Sequence, residues 1–235
     1  MELIFNSPFI INFKNYLEIG GEKSVRLSKV SEQVSNSMGV DIMVAPPQSS
    51  LSQVCATVKT PVISQHVDFS KPGSTTGFVV PELIKSYGAA GSLINHSEHR
   101  IDSIDTIREL VSVLRNLQMI SIVCVRTPEE AGIVANLDPD FIAIEPPELI
   151  GSGKAVSKEN PSIVTRSISA VADKSVNSQV ICGAGIVDKA DVESALRLGA
   201  KGILVASGII KADSWYDKIH ELASGFKDWS AKKDF

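Results

Sequence analysis

The chain contains no uninterrupted apolar run that approaches the roughly 20 residues a membrane-spanning helix needs, so no membrane span is expected. It has no excess or stripe of positive charge. Its 23 basic residues against 27 acidic ones give a net charge of −4, which makes nucleic acid an unsuitable partner. Cysteine is scarce: Cys55, Cys124 and Cys182 are odd in number, widely spaced and each set among apolar residues. They read as small buried hydrophobes in a reducing compartment, and no metal-ligand spacing links them. No basic region precedes the short apolar run at the N-terminus, so a secretory signal is not expected and a cytoplasmic location is. No linker or low-complexity run divides the 235 residues, and residues 1–235 read as one domain.

What is present is a regular alternation. Short, continuously apolar runs occur at Phe9–Asn12, Asp41–Ala45, Val62–Val67, Ser92–Asn95, Ser121–Val125, Phe141–Ile144, Gln179–Cys182 and Gly202–Ala206. Between them lie segments with helical spacing or helical start signals. These are Ser24–Met38, a segment capped by Ser49 or Ser50 and running through Val58, one opened by Pro81, and Ser103–Asn116. Pro128–Leu137, Pro161 to about Ala172, Lys189–Leu198 and Ser214–Ala223 complete the set. Strands that are apolar throughout must be covered on both faces, which is the condition of a parallel sheet. Eight strand–helix units in this length favour a closed (β/α)8 barrel over an open sheet. An internal echo, Gly88-Ala-Ala-Gly-Ser-Leu93 before the fourth strand and Gly199-Ala-Lys-Gly-Ile-Leu204 before the eighth, is natural in a barrel built of similar halves.

Barrels carry their chemistry at the carboxyl ends of the strands. Those ends hold Asn12-Phe-Lys14 after the first strand, Asn95-His96-Ser-Glu98 after the fourth and Glu145 after the sixth. Gly183-Ala-Gly185 follows the seventh and Ala206-Ser207-Gly208 the eighth. Pro146 and Pro147 stop the sixth strand at Glu145, because proline has no backbone donor and denies α geometry to the residue before it. The loop they open ends in Gly151-Ser-Gly153, a rigid start and a flexible end that suit a lid over Pro146–Lys154. Taken alone, Glu145 reads equally as a strand-capping carboxylate on an ordinary loop. A lysine, a histidine and a carboxylate on one rim, beside small-residue loops that let backbone N–H groups approach an anion, suit proton transfer next to the carbonyl of a phosphorylated sugar. His66, His99 and His220 read as structural or surface histidines.

These residues resemble the signatures of the triose-phosphate isomerases. Asn12-Phe-Lys14, Asn95-His-Ser-Glu98 and Glu145-Pro-Pro-Glu-Leu-Ile-Gly-Ser-Gly153 carry the likeness, with Gly183-Ala-Gly-Ile186 and Leu204-Val-Ala-Ser-Gly208 as phosphate loops. The short length, and the absence of a tryptophan after Glu145-Pro, resemble the compact archaeal branch. The resemblance implies a TIM barrel that interconverts dihydroxyacetone phosphate and glyceraldehyde 3-phosphate in glycolysis and gluconeogenesis, without cofactor or metal. It implies Glu145 as general base, a neutral His96 as electrophile, and Asn12 and Lys14 as the substrate-binding pair. Ile150, Gly151, Gly185, Ala206 and Ser207 fall on positions that hold the phosphate. Three departures are visible: His99 where arginine is usual, Ser152 for threonine in the lid hinge, and Phe13 for an aliphatic residue.

Two other readings stand beside this one. A different sugar-phosphate isomerase is one, although an epimerase needs metal-ligating histidines and aspartates at several strand ends, and the sequence lacks them. A barrel that binds phosphate without catalysis is the other; such a protein is expected to lose one of Lys14, His96 and Glu145. One loop is left over. Lys71-Pro-Gly-Ser-Thr-Thr-Gly-Phe78 is long and glycine-rich for a simple connection. It is either a mobile surface loop or, by resemblance, the segment that inserts Thr76 beside Asn12 and Lys14 of a second subunit. The second case implies a homodimer, with a tetramer as a further possibility.

Overall fold

The computed structural model describes residues 7–149 and 153–233. Eight parallel strands form the sheet: β1 (Phe9–Asn12), β2 (Ile42–Ala45), β3 (Ile63–Ser64), β4 (Gly91–Ile94), β5 (Ile120–Val125), β6 (Phe141–Ile144), β7 (Gln179–Cys182) and β8 (Gly202–Val205). Their order is β2-β1-β8-β7-β6-β5-β4-β3. The ring is closed between its ends by a single bridge, Val44 to Val62. Val44 N–H donates to Pro61 O at 3.0 Å, and Thr60 Oγ1 donates to Ile42 O at 2.6 Å across the same seam. This is the (β/α)8 barrel expected from eight apolar runs.

The helices are α1 (Glu22–Met38), α2 (Leu51–Cys55), α3 (Pro81–Ser86), α4 (Ile104–Asn116), α5 (Pro128–Ala135), α6 (Val156–Glu159), α7 (Pro161–Ala172), α8 (Lys189–Arg197), α9 (Ser207–Ile210) and α10 (Trp215–Lys233). Sequence signals place most of them correctly, because the caps are real: Ser103 Oγ accepts from Thr106 N, Thr127 Oγ1 from Glu130 N, and Pro81, Pro128 and Pro161 open their helices. Ser50 is an exception. It precedes α2 but makes no capping bond, and the turn before it, Gln48–Ser50, is a 3-10 helix.

The third strand is shorter than its apolar run, and the reason is local. Gln65 Nε2 donates to Lys14 O and to Ala45 O, both at 3.0 Å. Gln48 Nε2 donates to Ser64 Oγ at 2.6 Å and to His66 O at 3.0 Å. Two glutamine side chains thus bridge where a ladder would continue, and His66 lies in the loop beyond the strand.

Alternation along the strands sorts the core into two shells. Ile10, Met43, Ile63, Leu93, Ile122, Cys124, Ala143, Ile181 and Leu204 fill the barrel interior. Phe9, Ile11, Val44, Val123, Ile142, Ile144 and Ile203 pack outward with Leu27, Leu110, Val164 and Leu222 of the helices. The same period of two carries upward past the last interior layer. Asn12, two positions beyond Ile10, and Glu145, two beyond Ala143, therefore turn toward the barrel axis at its carboxyl end.

Candidate active site

Glu145 continues β6 as its N–H donates to Val125 O at 2.8 Å. Ile144 pairs with Cys182, so the next row sets Glu145 beside Gly183. A Cβ at Gly183 would lie 2.6 Å from Glu145 Cγ, which shows that the glutamate lies across a position where only hydrogen fits. Beneath it sits Cys124. Burial pushes this thiol well above its ordinary pKa, and the adjoining Glu145 carboxylate adds to the effect. Glu145 is 2% exposed. Its Oε1 lies 3.3 Å from His96 Nε2, while Oε2 has no nitrogen or oxygen hydrogen-bond partner among the described residues. A buried carboxylate oxygen without a donor is costly, and such groups gather where a protein handles protons.

His96 is presented by a left-handed residue. Asn95 has φ 61°, and its side chain is held at both ends: Nδ2 donates to Cys124 O at 2.9 Å, and Oδ1 accepts from Ile101 N at 2.9 Å. The following turn brings Glu98 N–H to His96 Nδ1 at 3.2 Å. A backbone N–H can only donate, so this contact favours the tautomer in which Nδ1 accepts and Nε2 carries the hydrogen. That hydrogen faces Glu145 and the cleft.

Lys14 takes a left-handed φ of 50°, stabilised by Asn12 Oδ1 accepting from Lys14 N at 3.0 Å. The bond commits the Asn12 amide oxygen and leaves Nδ2 at 3.5 Å from His96 Nε2. Lys14 Nζ pairs with Glu98 Oε1 at 2.7 Å. Asn12, His96 and Lys14 thus bring N–H donors to one region, next to a carboxylate that accepts protons. Such a place favours an oxygen on which negative charge develops.

A cleft of about 280 Å³ opens from Glu145, His96 and Lys14 toward Gly183–Val187 and Leu204–Gly208. Gly185 has φ 74°, and a Cβ there would lie 1.8 Å from Lys154 O, so glycine is required twice over, by backbone and by space. Lys211 also lines the cleft, with Nζ 5.0 Å from the Tyr16 ring centroid. With two lysines and small-residue loops, this end is suited to an anion.

Of the residues singled out in the sequence, Lys14, His96, Glu145, Gly185, Ala206 and Ser207 line this cleft, and Asn12 reaches it through His96. Ile150 and Gly151 lie outside the described residues. Three contributions escaped the reading: Glu98, named only within its motif, pairs with Lys14, Cys124 lies against Glu145, and Lys211 adds charge. Gly183, read as part of a phosphate loop, also packs against Glu145. His66 and His99, read as structural or surface histidines, stack at 3.8 Å between ring centroids, and His66 Nε2 meets Asp68 Oδ1 at 3.2 Å.

Fold and site together define a phosphate-binding (β/α)8 barrel of the acid–base type. Comparison narrows the class. The sequence model of triosephosphate isomerase matches residues 8–222. The chain is 48% identical over 214 residues to the triosephosphate isomerase of Cenarchaeum symbiosum, covering 91% of this chain and 95% of that one. It is 43% identical over 224 residues to that of Methanothermobacter thermautotrophicus, with 95% and 97% covered. Against that of Methanocaldococcus jannaschii it is 43% identical over 213 residues, with 91% and 97% covered. The chain belongs to the triosephosphate isomerase family.

Proposed function

We propose that the chain interconverts dihydroxyacetone phosphate and D-glyceraldehyde 3-phosphate through an enediolate, as a single-domain cytoplasmic enzyme of glycolysis and gluconeogenesis. The observation that carries the reading is the Glu145–His96 pair, a buried carboxylate facing a neutral imidazole whose N–H points into an anion-binding cleft. Glu145 takes a proton from the carbon beside the carbonyl, and the electron pair moves onto the carbonyl oxygen. His96 Nε2–H and the Lys14 ammonium stabilise that oxygen as charge develops. The hydroxyl proton of the enediolate passes to the neighbouring oxygen as Glu145 returns its proton to the neighbouring carbon, which completes the isomerisation with no external acid or base consumed. Asn12 orients the same oxygens. Gly185, Ala206 and Ser207 hold the phosphate, and the resemblance assigns Ile150 and Gly151 to the same task. The wild-type chain is expected to turn over glyceraldehyde 3-phosphate in an assay coupled to glycerol-phosphate dehydrogenase. Glu145→Asp retracts the carboxylate by one methylene, and a misplacement of about 1 Å costs on the order of 10²-fold in kcat. Full turnover by Glu145→Asp would remove it as the base.

The active unit is a homo-oligomer, a dimer or a dimer of dimers, with Thr76 at the interface. Support comes from apolar side chains that a lone chain leaves in water: Leu17 is 92% exposed, Phe78 55% and Tyr87 47%. Every residue from Lys71 to Phe78 is exposed. A second cleft of about 210 Å³, walled by Asn12, Lys14, Gln65, His66, Glu98 and His99, offers a seat for the Thr76 loop of a second copy. Thr76→Arg is expected to give a folded, nearly inactive monomer by sedimentation and turnover. An active monomer would sink the interface reading.

A further inference from the structure

The loop from Gly183 to Val187 is held from behind by a carboxylate that the chemistry above does not use. Asp191, in the first turn of α8, is 4% exposed. Its Oδ2 accepts from Val187 N at 2.8 Å and from Asp188 N at 3.1 Å. Its Oδ1 lies 2.5 Å from Lys158 Nζ, which belongs to α6. Helix α6 reaches the same loop by other routes. Val156 N–H donates to Ala184 O at 3.3 Å, Ser157 Oγ donates to Asp191 O at 3.3 Å, and Ser194 Oγ donates to Ser157 O at 3.2 Å.

The Asp188–Asp191 capping box explains one part of this arrangement, the bond from Asp191 N to Asp188 Oδ1 at 2.8 Å with its return from Asp188 N. A cap needs neither burial nor a lysine from another helix. Here the carboxylate is both buried and neutralised, and it also grips Val187, the last residue of the anion loop. The loop is therefore clasped at two points, Ala184 O from above and Val187 N through Asp191.

We infer that Lys158 and Asp191 are a positioning pair that sets the loop's grip on the phosphate dianion. The inference rests on the phosphate-binding role given to this loop above. Neither residue touches substrate. Without Lys158, the buried carboxylate loses its countercharge and must turn toward water, which releases the Val187 and Asp188 N–H groups and lets the loop drift. The dianion then meets misaligned donors, while Glu145, His96 and Lys14, on other strands, keep their places.

Four full-length variants test this: Lys158→Met, Lys158→Arg, Asp191→Asn and the Lys158→Met/Asp191→Asn double variant. In Lys158→Met, loss of a charge-assisted contact should raise KM for glyceraldehyde 3-phosphate about tenfold, and the inhibition constant of inorganic phosphate with it. Its kcat should stay within about twofold of wild type. Lys158→Arg should restore both constants. The double variant should be no weaker than the worse single one, because the two changes break one link. Unchanged KM and phosphate inhibition in Lys158→Met overturn the inference, as does a lowered melting temperature with KM untouched. Additive losses in the double variant also overturn it. Because Lys158 is half exposed, these variants report even when Asp191→Asn does not fold. Calorimetric binding of inorganic phosphate separates the two claims. A wild-type chain without turnover defeats the functional reading, whereas equal phosphate affinity in wild type and Lys158→Met defeats the positioning role.

Discussion

Gly183→Ala replaces one hydrogen with a methyl group, and the structure says where it goes. The new Cβ would stand 2.6 Å from Glu145 Cγ and 3.2 Å from Glu145 Oε1, where ordinary contacts begin at 3.4 Å. Gly183 has no left-handed φ, so the backbone accepts alanine without strain and the glutamate side chain must give way. It cannot move down, because Cys124 and the barrel interior are filled. The carboxylate is therefore pushed by about 1 Å along the cleft, which costs on the order of 10²-fold in rate, or about 2.7 kcal/mol of transition-state stabilisation. Gly183 also opens the loop proposed to hold the phosphate, so KM is read beside kcat, and a rise in KM reports movement of that loop. The assay is steady-state turnover of glyceraldehyde 3-phosphate beside thermal unfolding, since a loss of kcat with an unchanged melting temperature isolates the effect to the carboxylate. Wild-type kcat in Gly183→Ala, in a protein whose Glu145 has moved, would refute the claim that the glutamate's position sets the rate.

Two further outcomes follow from the histidines. In nitrogen-detected NMR, His96 should show an unprotonated Nδ1 and a protonated Nε2, because Glu98 N–H occupies Nδ1; the opposite tautomer would cancel the donor role. Burial holds His66 below its ordinary pKa against the pull of Asp68, so the unfolded chain takes up this proton more readily than the folded one. Its contribution to stability is then full above about pH 6.5 and declines as pH falls below that value. Denaturant unfolding from about pH 7.5 to about pH 5.5 should show a shallower decline in His66→Gln than in wild type, and an identical decline would contradict the assignment.

The barrel was legible because its strands are covered on both faces, so each appears as an unbroken apolar run, and a turn residue or proline ends it at the functional rim. Glu145 announced itself by Pro146 and Pro147. What the sequence hid falls into two physical kinds. Helices α6 and α9 are four residues each, shorter than one period of the pattern that reveals a helix. The rest are pairings between distant segments: Lys14 with Glu98, Cys124 with Glu145, His66 with His99 and Lys158 with Asp191. Each partner is ordinary by itself, and only the closed ring brings the two within reach. The overlong reading of β3 belongs to this kind as well, since the residue that ends the ladder, Gln65, acts by reaching back to Lys14 and Ala45.

The single bridge at the β2–β3 seam gives the barrel the mechanics of a split ring. Around the rest of the circumference the described strands are joined by continuous ladders, whereas here the load passes through the Val44–Val62 bridge with its Pro61 bond, the Thr60 hydroxyl and two glutamine side chains. Strain in such a ring concentrates at the gap, so amide exchange should be fastest there, beginning with Val44 N–H. Gln65, which spans the gap to Ala45 O, also holds the carbonyl of Lys14. Opening the seam should therefore reach the lysine through Gln65.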